Sequence, residues 1–317
     1  MAEIGKDIEK AQQLLRSGEL VAMPTETVYG LAGNAFHPAA VAHIFKVKNR
    51  PAFDPLILHT DRLEKVKQFV RDFPPIAEQL AQAFWPGPLT LLLPKSEQIH
   101  DIVTSGLDTV AVRIPQHPVS RNLLEGLDFP VAAPSANPFS YISPTTAQHV
   151  NQHLGTKIPY ILDGGPCTVG IESTIVGFPD GIPTVFRKGG LKIEAIEGII
   201  GKVQVNTHSS SQPTAPGMLN KHYSPKVPMF IGDIPKLLAE YEEKSVGVIS
   251  FQQAYLGESP LQFTLSKKGD FAEAAQQLFA ALRALDTLAP DVIVVELLPE
   301  QDLGIAINDR LRRAAVQ

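Results

Sequence analysis

The stretch Leu20–Leu31, LVAMPTETVYGL, decides how the first part of the chain folds. Its apolar start, Leu20–Met23, predicts a short buried strand, and Pro24 ends that strand because proline cannot extend a ladder of hydrogen bonds. Four side chains able to hydrogen-bond follow: Thr25, Glu26, Thr27 and Tyr29. Polar groups beyond the carboxyl end of a strand build ligand sites in open α/β sheets. The plainer alternative is a capped turn that leads into a helix.

The same arrangement, a short apolar strand followed by polar residues and a turn, recurs along the chain. The further segments are Lys46–His59, Ser105–Pro115, Pro130–Asn137, Gly164–Phe178 and Thr184–Gly190. Each segment alone is weak evidence for a ligand site, because turns also need polar residues. Together they supply cations, hydroxyls and glycines that suit a polyanion bound beside a small polar molecule.

Two groups of cations have plainer alternatives. Pro38 begins a predicted helix that should stop before Pro51, which places Lys46, Lys48 and Arg50 at its end. A solvated helix terminus favours such charges through the macrodipole. Arg113 lies inside the predicted strand Val110–Ile114, where it either faces water or, if buried, needs an anionic partner.

Seven separated segments resemble the YrdC-type threonylcarbamoyl-AMP synthases in their long two-domain form. They are PTETVYGL (24–31), KNRP with PLILH (48–59), FWPGPLT (84–90), GLDTVAVR (106–113), APSAN (133–137), GIEST (170–174) and APGMLNKHYSP (215–225). The resemblance implies an α/β fold, with a YrdC-like twisted-sheet catalytic domain followed by a small Rossmann-like α/β C-terminal domain. The expected boundaries are 1–201 for the catalytic domain, 202–226 for a linker and 227–317 for the second domain.

The resemblance also implies a reaction. L-threonine, bicarbonate and ATP, with Mg²⁺ accompanying the nucleotide, would give threonylcarbamoyl-AMP and pyrophosphate. Separate threonylcarbamoyl-transfer proteins would then modify the adenosine beside the anticodon of ANN-decoding tRNAs, so stable tRNA binding is not required. No tightly bound prosthetic group and no protein metal site are expected.

Site residues carry over by position. The expected threonine pocket comprises Thr27, His59, Arg113, Ala133 and Ser173. The expected ATP contacts are Arg50, Asp54, Thr109, Ser135, Arg187 and Tyr223, and the catalytic set on the phosphate side is Lys48, Arg50, Ser135 and Asn137. Asp54 departs from the family, where asparagine is frequent, so an anion there could weaken or reorient a nucleotide contact.

The linker is expected to act as a flap over ATP rather than as a spacer, since Lys221, His222 and Tyr223 form a cation-and-aromatic cluster. Ligand-dependent protection from proteases is therefore expected at Ser209–Ser211. After the linker, strands are predicted in VPMFIGD, SVGVISF and DVIVVEL, separated by helices at Lys236–Glu242 and Phe271–Leu288.

Composition narrows the class of protein. The chain has 317 residues, 44% of them hydrophobic, a net charge of −5 and a single cysteine, Cys167. One cysteine allows no internal disulfide and no cysteine metal cage, and the N-terminus lacks a signal-peptide core, so a cytoplasmic enzyme without membrane partners is expected. No Walker, GxGxxG, HExxH or GxSxG motif occurs.

Two alternatives remain. One is an RNA-binding or ribosome-maturation module without catalysis, against which the acidic balance counts. The other is the carbamoyl-adenylate-forming part of a hydrogenase-maturation protein, which would need cysteine-rich regions that this sequence does not contain.

Overall fold

The structure is a computed structural model that describes residues 1–207, 213–219 and 221–315. The predicted linker is therefore described except at residues 208–212 and 220, and the expected protease-protected segment Ser209–Ser211 lies outside the described residues.

The first part of the chain is built on a mixed sheet of eleven strands in the order β1-β8-β2-β3-β7-β4-β6-β5-β9-β10-β11. Parallel and antiparallel pairs alternate irregularly along it, and β4 pairs in parallel with β6, which sets His59 beside Arg113. The strands are β1 (Glu3–Gly5), β2 (Val21–Met23), β3 (Gly30–Asn34), β4 (Ile57–His59), β5 (Leu89–Pro94), β6 (Thr109–Arg113), β7 (Val131–Ala132), β8 (Tyr160–Leu162), β9 (Thr174–Gly177), β10 (Thr184–Arg187) and β11 (Gln204–Val205).

Eight α-helices and one short 3₁₀ turn, Pro179–Gly181, connect these strands within the described residues. The helices are α1 (Ile8–Arg16), α2 (Pro38–Lys48), α3 (Leu63–Phe69), α4 (Pro75–Phe84), α5 (Asp101–Thr104), α6 (Pro118–Glu125), α7 (Ala147–Leu154) and α8 (Ile193–Ile200). Apolar faces of these helices cover the sheet, as in α2, where Val41, Ile44 and Phe45 are buried at helical spacing.

The second part is a four-stranded, fully parallel sheet in the order β12-β15-β13-β14. Its strands are β12 (Met229–Ile231), β13 (Val246–Ser250), β14 (Gln262–Thr264) and β15 (Val292–Val295), and its helices are α9 (Ile234–Glu240), α10 (Phe271–Leu288) and α11 (Gly304–Ala314). Parallel strands joined by helices give the Rossmann-like arrangement that was expected. Among all described helices, none combines the length and apolar character needed to cross a membrane.

The two parts share an apolar core. Val28, Ile142 and Ile171 of the first part pack in one buried cluster with α10 residues such as Leu278 and Phe279. Gly170, at φ +80°, lies so close to the α10 backbone at Ala275 and Gln276 that a Cβ would collide with it. The small sheet therefore docks closely on the rim of the large one.

The structure corrects several details of the sequence predictions. Thr25 to Tyr29 connect β2 to an antiparallel strand, β3, rather than to a helix, because Tyr29 and Leu31 donate backbone hydrogen bonds to Pro144 and Pro134. Helix α2 ends at Lys48, where Asn49 adopts a left-handed cap at φ 53°, one residue before Arg50. The prediction of Phe271–Leu288 as a helix is confirmed, whereas β14 and α11 were missed.

Candidate functional site

The loop between β2 and β3 is folded by one hydroxyl. Thr25 Oγ1 donates to the Val28 carbonyl at 2.6 Å and accepts from the Thr27 and Val28 amides at 3.1 and 3.2 Å. This compact turn fixes Thr27, which is fully buried as a residue but presents its side chain to a cavity. The polar run therefore serves both as a turn and as one wall of a site.

The cavity has a volume of about 580 Å³ when its open mouth is included, and it is bounded by the ends of several strands together with the linker. Residues from both predicted ligand sets line it together: Thr27, His59, Arg113, Ala133 and Ser173 of the threonine set, and Arg50, Ser135, Arg187 and Tyr223 of the ATP set. Lys48, Asp54, Asn137 and Thr109 are not among the lining residues.

Arg113 is buried and has the anionic partner that burial requires. Its Nη2 donates to Glu26 Oε1 at 2.6 Å, its Nη1 to Thr27 Oγ1 at 2.8 Å and its Nε to the Gly87 carbonyl at 3.2 Å. A guanidinium has five N–H groups, so one on each terminal nitrogen is left for a ligand. Arg113 is thus a positioned donor rather than a solvent-facing strand residue.

Ser173 and Arg187 form a second polar pair in the cavity wall. Arg187 donates from Nη2 to Ser173 Oγ at 2.9 Å and from Nε to the Ser173 carbonyl at 3.0 Å, and Ser173 Oγ lies 2.7 Å from Thr90 Oγ1. No described carboxylate comes within 4.0 Å of the Arg187 guanidinium. Burial lowers the pKa of Arg187 to about 10, which leaves the group charged at neutral pH. This cation is available to a bound anion.

Lys48 lies behind the cavity wall and not at a solvated helix end. Its Nζ donates to the carbonyls of Ser135 and Asn137, each at 2.5 Å. Burial, with the neighbouring charge of Arg50, lowers the pKa of Lys48 well below its usual range. The Asn137 side-chain amide donates to Pro138 and Tyr141, both at 2.8 Å. In this structure Lys48 and Asn137 therefore shape the Ser135 loop from behind.

Asp54 is buried beside Arg50. Arg50 Nη2 lies 2.9 Å from Asp54 Oδ2, while Nε and Nη2 donate to the carbonyls of Asp54 and Pro55 at 3.0 and 2.7 Å. Burial raises the pKa of Asp54, and the nearby charges of Arg50 and Lys48 oppose that change. Asp54 thus acts on the cavity through Arg50.

His59 ends β4 and stays neutral. Burial, with the charge of Arg113, lowers the pKa of His59 to about 3. Its Nδ1 lies 3.3 Å from the Ile57 carbonyl, so Nδ1 carries the proton and Nε2 is left as an acceptor. Ala133 lies opposite Gly30, where an added Cβ would approach Ala133 Cβ to 3.2 Å. Small residues therefore keep the floor of the cavity open.

The linker forms one side of the cavity through Pro216, Gly217, His222 and Tyr223. Gly217 adopts φ +80° directly over Arg187, and a Cβ there would lie 3.1 Å from Arg187 Cδ. Tyr223 is only 1% exposed, and its ring stacks on Phe279 with 5.4 Å between centroids. The described part of the linker thus covers the site and is itself held by the second part of the chain.

Thr109 begins β6, at the opposite end of that strand from Arg113. It lines a second, larger cavity of about 1390 Å³, whose walls include Leu92, Phe178, Phe186 and Thr214. Both cavities border the linker, through Thr214 on one side and Pro216 on the other. The structure does not bring Thr109 together with the other expected ATP residues in one cavity.

Three residues with clear contacts had no role in the sequence interpretation: Glu26, Thr90 and Glu172. Glu26 was visible in the polar run after β2 and Glu172 in the glycine-rich segment before β9, but only the structure shows that both carboxylates are buried. Among the described residues that line the first cavity, Glu172 is the only carboxylate. No group of three or more described His, Cys, Asp or Glu residues could hold a metal ion.

Comparison with known proteins identifies close relatives of the whole chain. A Sua5/YciO/YrdC family model, described as telomere recombination, matches residues 13–189, and a model described as the C-terminal domain of threonylcarbamoyl-AMP synthase matches 191–316. The threonylcarbamoyl-AMP synthase of Pyrococcus abyssi is 41% identical, covering 97% of this chain and 94% of its own. That of Bacillus subtilis is 39% identical, covering 97% and 92%.

The fold agrees as closely. The crystal structure of Pyrococcus abyssi Sua5 complexed with L-threonine matches with a TM-score of 0.93 at 40% identity, covering 99% of this chain and 97% of that one. Both family models, near-complete coverage and the shared two-domain fold lead to one conclusion: the chain belongs to the Sua5/YrdC family in its long, two-domain form.

Proposed function

We propose that the chain is a threonylcarbamoyl-AMP synthase, a nucleotidyltransferase that converts L-threonine, bicarbonate and MgATP to threonylcarbamoyl-AMP and pyrophosphate. The observation that carries the proposal is the shared cavity. Thr27, Arg113 and Ser173 of the expected threonine set line it with the expected ATP residues Arg50 and Arg187. Relatives that carry this name over nearly their full length support the same activity.

The threonine end of the cavity is proposed at Arg113. The unused N–H groups of its two terminal nitrogens suit a carboxylate bidentately. The His59 acceptor nitrogen, close to this charge, suits the amine or hydroxyl of the amino acid. The hydroxyls of Thr27 and Ser173 complete a small polar pocket.

The phosphate end is proposed at Arg50 and Arg187. Arg187 is charged, buried and unpaired with any described carboxylate, which is the state a phosphate oxygen would satisfy. Ser135, held from behind by Lys48, adds a polar loop on the same wall. The adenosine end would extend past the linker toward Thr109 and the apolar walls of the second cavity.

The proposed chemistry needs no side-chain nucleophile. The threonine amine gives a carbamate by adding to bicarbonate with loss of water, or to CO₂ with loss of one amine proton to solvent. A carbamate oxygen then attacks the α-phosphorus, and pyrophosphate leaves with the bridging oxygen and its electron pair. The protein contributes positioning and charge neutralisation. Mg²⁺ would enter with the nucleotide, because it is held largely by phosphate oxygens in such sites and both oxygens of Glu172 are already engaged.

The test is pyrophosphate release from MgATP and bicarbonate with each amino acid in turn, together with detection of the adenylate product. Threonine-dependent release is the expected result. Release that ignores threonine, or none at all, would contradict the proposal. Purified tRNA should be unnecessary for this step, since separate proteins are proposed to use the product in the cytoplasm. A requirement for tRNA would contradict this division of steps, whereas RNA binding without any pyrophosphate release would favour the RNA-binding alternative.

A further inference from the structure

Arg310, on the last described helix, reaches into the wall of the cavity. It lies on α11, 138 residues from Glu172 in sequence, and its side chain is fully buried. Its Nε and Nη2 donate to Glu172 Oε2 at 3.2 and 3.1 Å, and its Nη1 donates to the Lys188 carbonyl. One guanidinium therefore joins the second domain to the segments on either side of β9 and β10.

Glu172 connects this contact to the site. Its Oε1 accepts from the Ser143 hydroxyl at 2.6 Å, and its neighbour Ser173 binds Arg187 through both hydroxyl and carbonyl. Burial alone would raise the pKa of Glu172, but the charges of Arg310 and Arg187 outweigh it and lower the pKa. Glu172 is therefore an anion held by Arg310, one residue from the group that positions Arg187.

The same helix holds the linker. The guanidinium groups of Arg310 and Arg313 both lie over the Tyr223 ring, and their centres are 5.6 and 5.0 Å from the ring centroid. Arg313 donates to the Leu219 carbonyl at 3.0 and 2.6 Å, and its own carbonyl accepts from the His222 amide at 3.3 Å. Tyr223 also adopts a left-handed φ of 64°, which a bulky residue holds only when its surroundings fix it.

We propose that Arg310 is a positioning residue for the nucleotide end of the site. Through Glu172 it fixes the Ser173–Arg187 pair, and through Tyr223 it keeps the linker closed over that pair. The assignment rests on the proposed function for its substrates, and it goes beyond that function by making the second domain a working part of the ATP site. Among the described residues Arg310 forms no hydrogen bond to the threonine set and reaches Ser173 only through Glu172, whereas it holds the nucleotide end through both Glu172 and Tyr223, so the larger effect is expected on the nucleotide.

The central experiment replaces Arg310 by methionine, which has a similar length and no charge. The KM for ATP is expected to rise at least tenfold, whereas the KM for threonine changes less than threefold. Arg310→Lys keeps the charge but loses the forked guanidinium, so its KM for ATP should lie between those of wild type and Arg310→Met. Arg312→Met is the matched control, since Arg312 lies on the same helix, is exposed and pairs only with Glu300; both KM values should be unchanged.

A purely structural role is separated by a double-variant cycle. Glu172→Gln alone and Arg310→Met alone each leave a buried partner without its counter-charge, so each should weaken ATP binding. The double variant, Arg310→Met with Glu172→Gln, should lose less ATP affinity than the product of the fold-losses of the two single variants. Additive losses, or equal increases in both KM values, would overturn the proposal. Thermal unfolding of each variant shows which are folded, and Glu172→Gln serves if Arg310→Met does not fold.

Calorimetric binding of a non-hydrolysable ATP analogue to the whole protein separates this proposal from the proposed function. Wild type that binds the analogue but forms no adenylate would contradict the function and leave the positioning test intact. Unchanged analogue affinity in folded Arg310→Met would contradict the positioning role, whatever the activity of the wild type.

Discussion

Asp54 Oδ2 lies 2.9 Å from Arg50 Nη2, and both side chains are almost completely buried. Asp54 therefore places an anion against a cation that lines the cavity. Asp54→Asn should strengthen ATP binding by about three- to tenfold, because Arg50 would no longer share its charge with a carboxylate. Calorimetry with ATP checks this, and Asp101→Asn is the control, because Asp101 is exposed and lines neither cavity. Weaker binding in Asp54→Asn would show that the carboxylate is needed to hold Arg50 in place.

Threonine should be preferred to valine. The cavity presents two hydroxyls, Thr27 Oγ1 and Ser173 Oγ, each already within 2.9 Å of an arginine nitrogen. A site built to hydrogen-bond a substrate hydroxyl often rejects the analogue that lacks it by about 10⁴-fold or more, and a smaller ratio is expected here because a small pocket can admit a water in place of the missing hydroxyl. The measurement is kcat/KM for pyrophosphate release with each amino acid. Equal values would remove the hydroxyl-recognition role from this pocket.

Replacement of Arg113 should affect threonine more than ATP. Arg113→Lys keeps the charge but loses the fork that also contacts Thr27 and Gly87, so threonine binding should fall while ATP binding changes little. Arg113→Ala should cost about 2–5 kcal/mol of threonine binding. It also strands Glu26, so the unfolding free energy should drop by about 3–5 kcal/mol.

The control for this loss of stability is Arg113→Ala with Glu26→Gln, which removes the stranded charge. Stability should recover in the double variant while threonine binding remains poor. If calorimetry showed normal threonine binding to folded Arg113→Ala, Arg113 would have no role in binding threonine and would serve only as the ion-pair partner of Glu26.

Tyr223→Ala should weaken ATP binding about tenfold or more. Stacking of an aromatic ring on a base is worth about 1–3 kcal/mol, yet here the ring already stacks on Phe279 and lies beside Arg313. The loss should therefore come from release of the linker, and breakdown of the intermediate by water should increase. Tyr223→Phe, which keeps the ring, is the matched control and should bind ATP normally. Unchanged ATP affinity in Tyr223→Ala would show that the linker only connects the two domains.

The neutral state of His59 predicts an acid-dependent loss of stability. Its pKa is about 3 in the folded chain, below the usual 6.5, so the unfolded chain binds the extra proton first as pH falls. The contribution of His59 to the free energy of unfolding is complete above pH 6.5. It is lost as the pH falls from 6.5 to 3, by at most about 1.4 kcal/mol per pH unit. Denaturant unfolding of wild type and His59→Asn across this range measures it. If the free energy of unfolding changed with pH in the same way in both proteins, His59 would have the same pKa in the folded and unfolded chain.

The local sequence predicted which residues line the site better than it predicted which side chains contact each other. The polar residues after each strand were visible because they follow apolar runs, and the structure brings most of them to one cavity. The partners of the buried charges were not visible. Glu26 is 87 residues from Arg113 and Glu172 is 138 from Arg310, so no local pattern pairs them. Lys48 was ambiguous for the same reason, because only the fold shows whether a helix end meets water or the carbonyls of a distant loop.

The β3 strand and α11 show two other limits. Gly30–Asn34 has two glycines in five residues, a composition that indicates a loop, and it becomes a strand because β2 and β7 flank it. Helix α11 buries Asp309, Arg310 and Arg313 together with its apolar residues, so the usual division into an apolar and a charged face does not mark it as a buried helix. Tertiary pairing decided both elements.

The shared core of Val28, Ile142 and Ile171 with α10 has a consequence for how the molecule comes apart. Separation of the two domains would bare these apolar side chains and the buried charges of Glu172 and Arg310 at once. Partial opening is therefore costly, because it exposes apolar surface and leaves buried charges without their partners. The two domains defined by topology are therefore expected to unfold in one cooperative transition, and the contacts that couple them lie beside the first cavity.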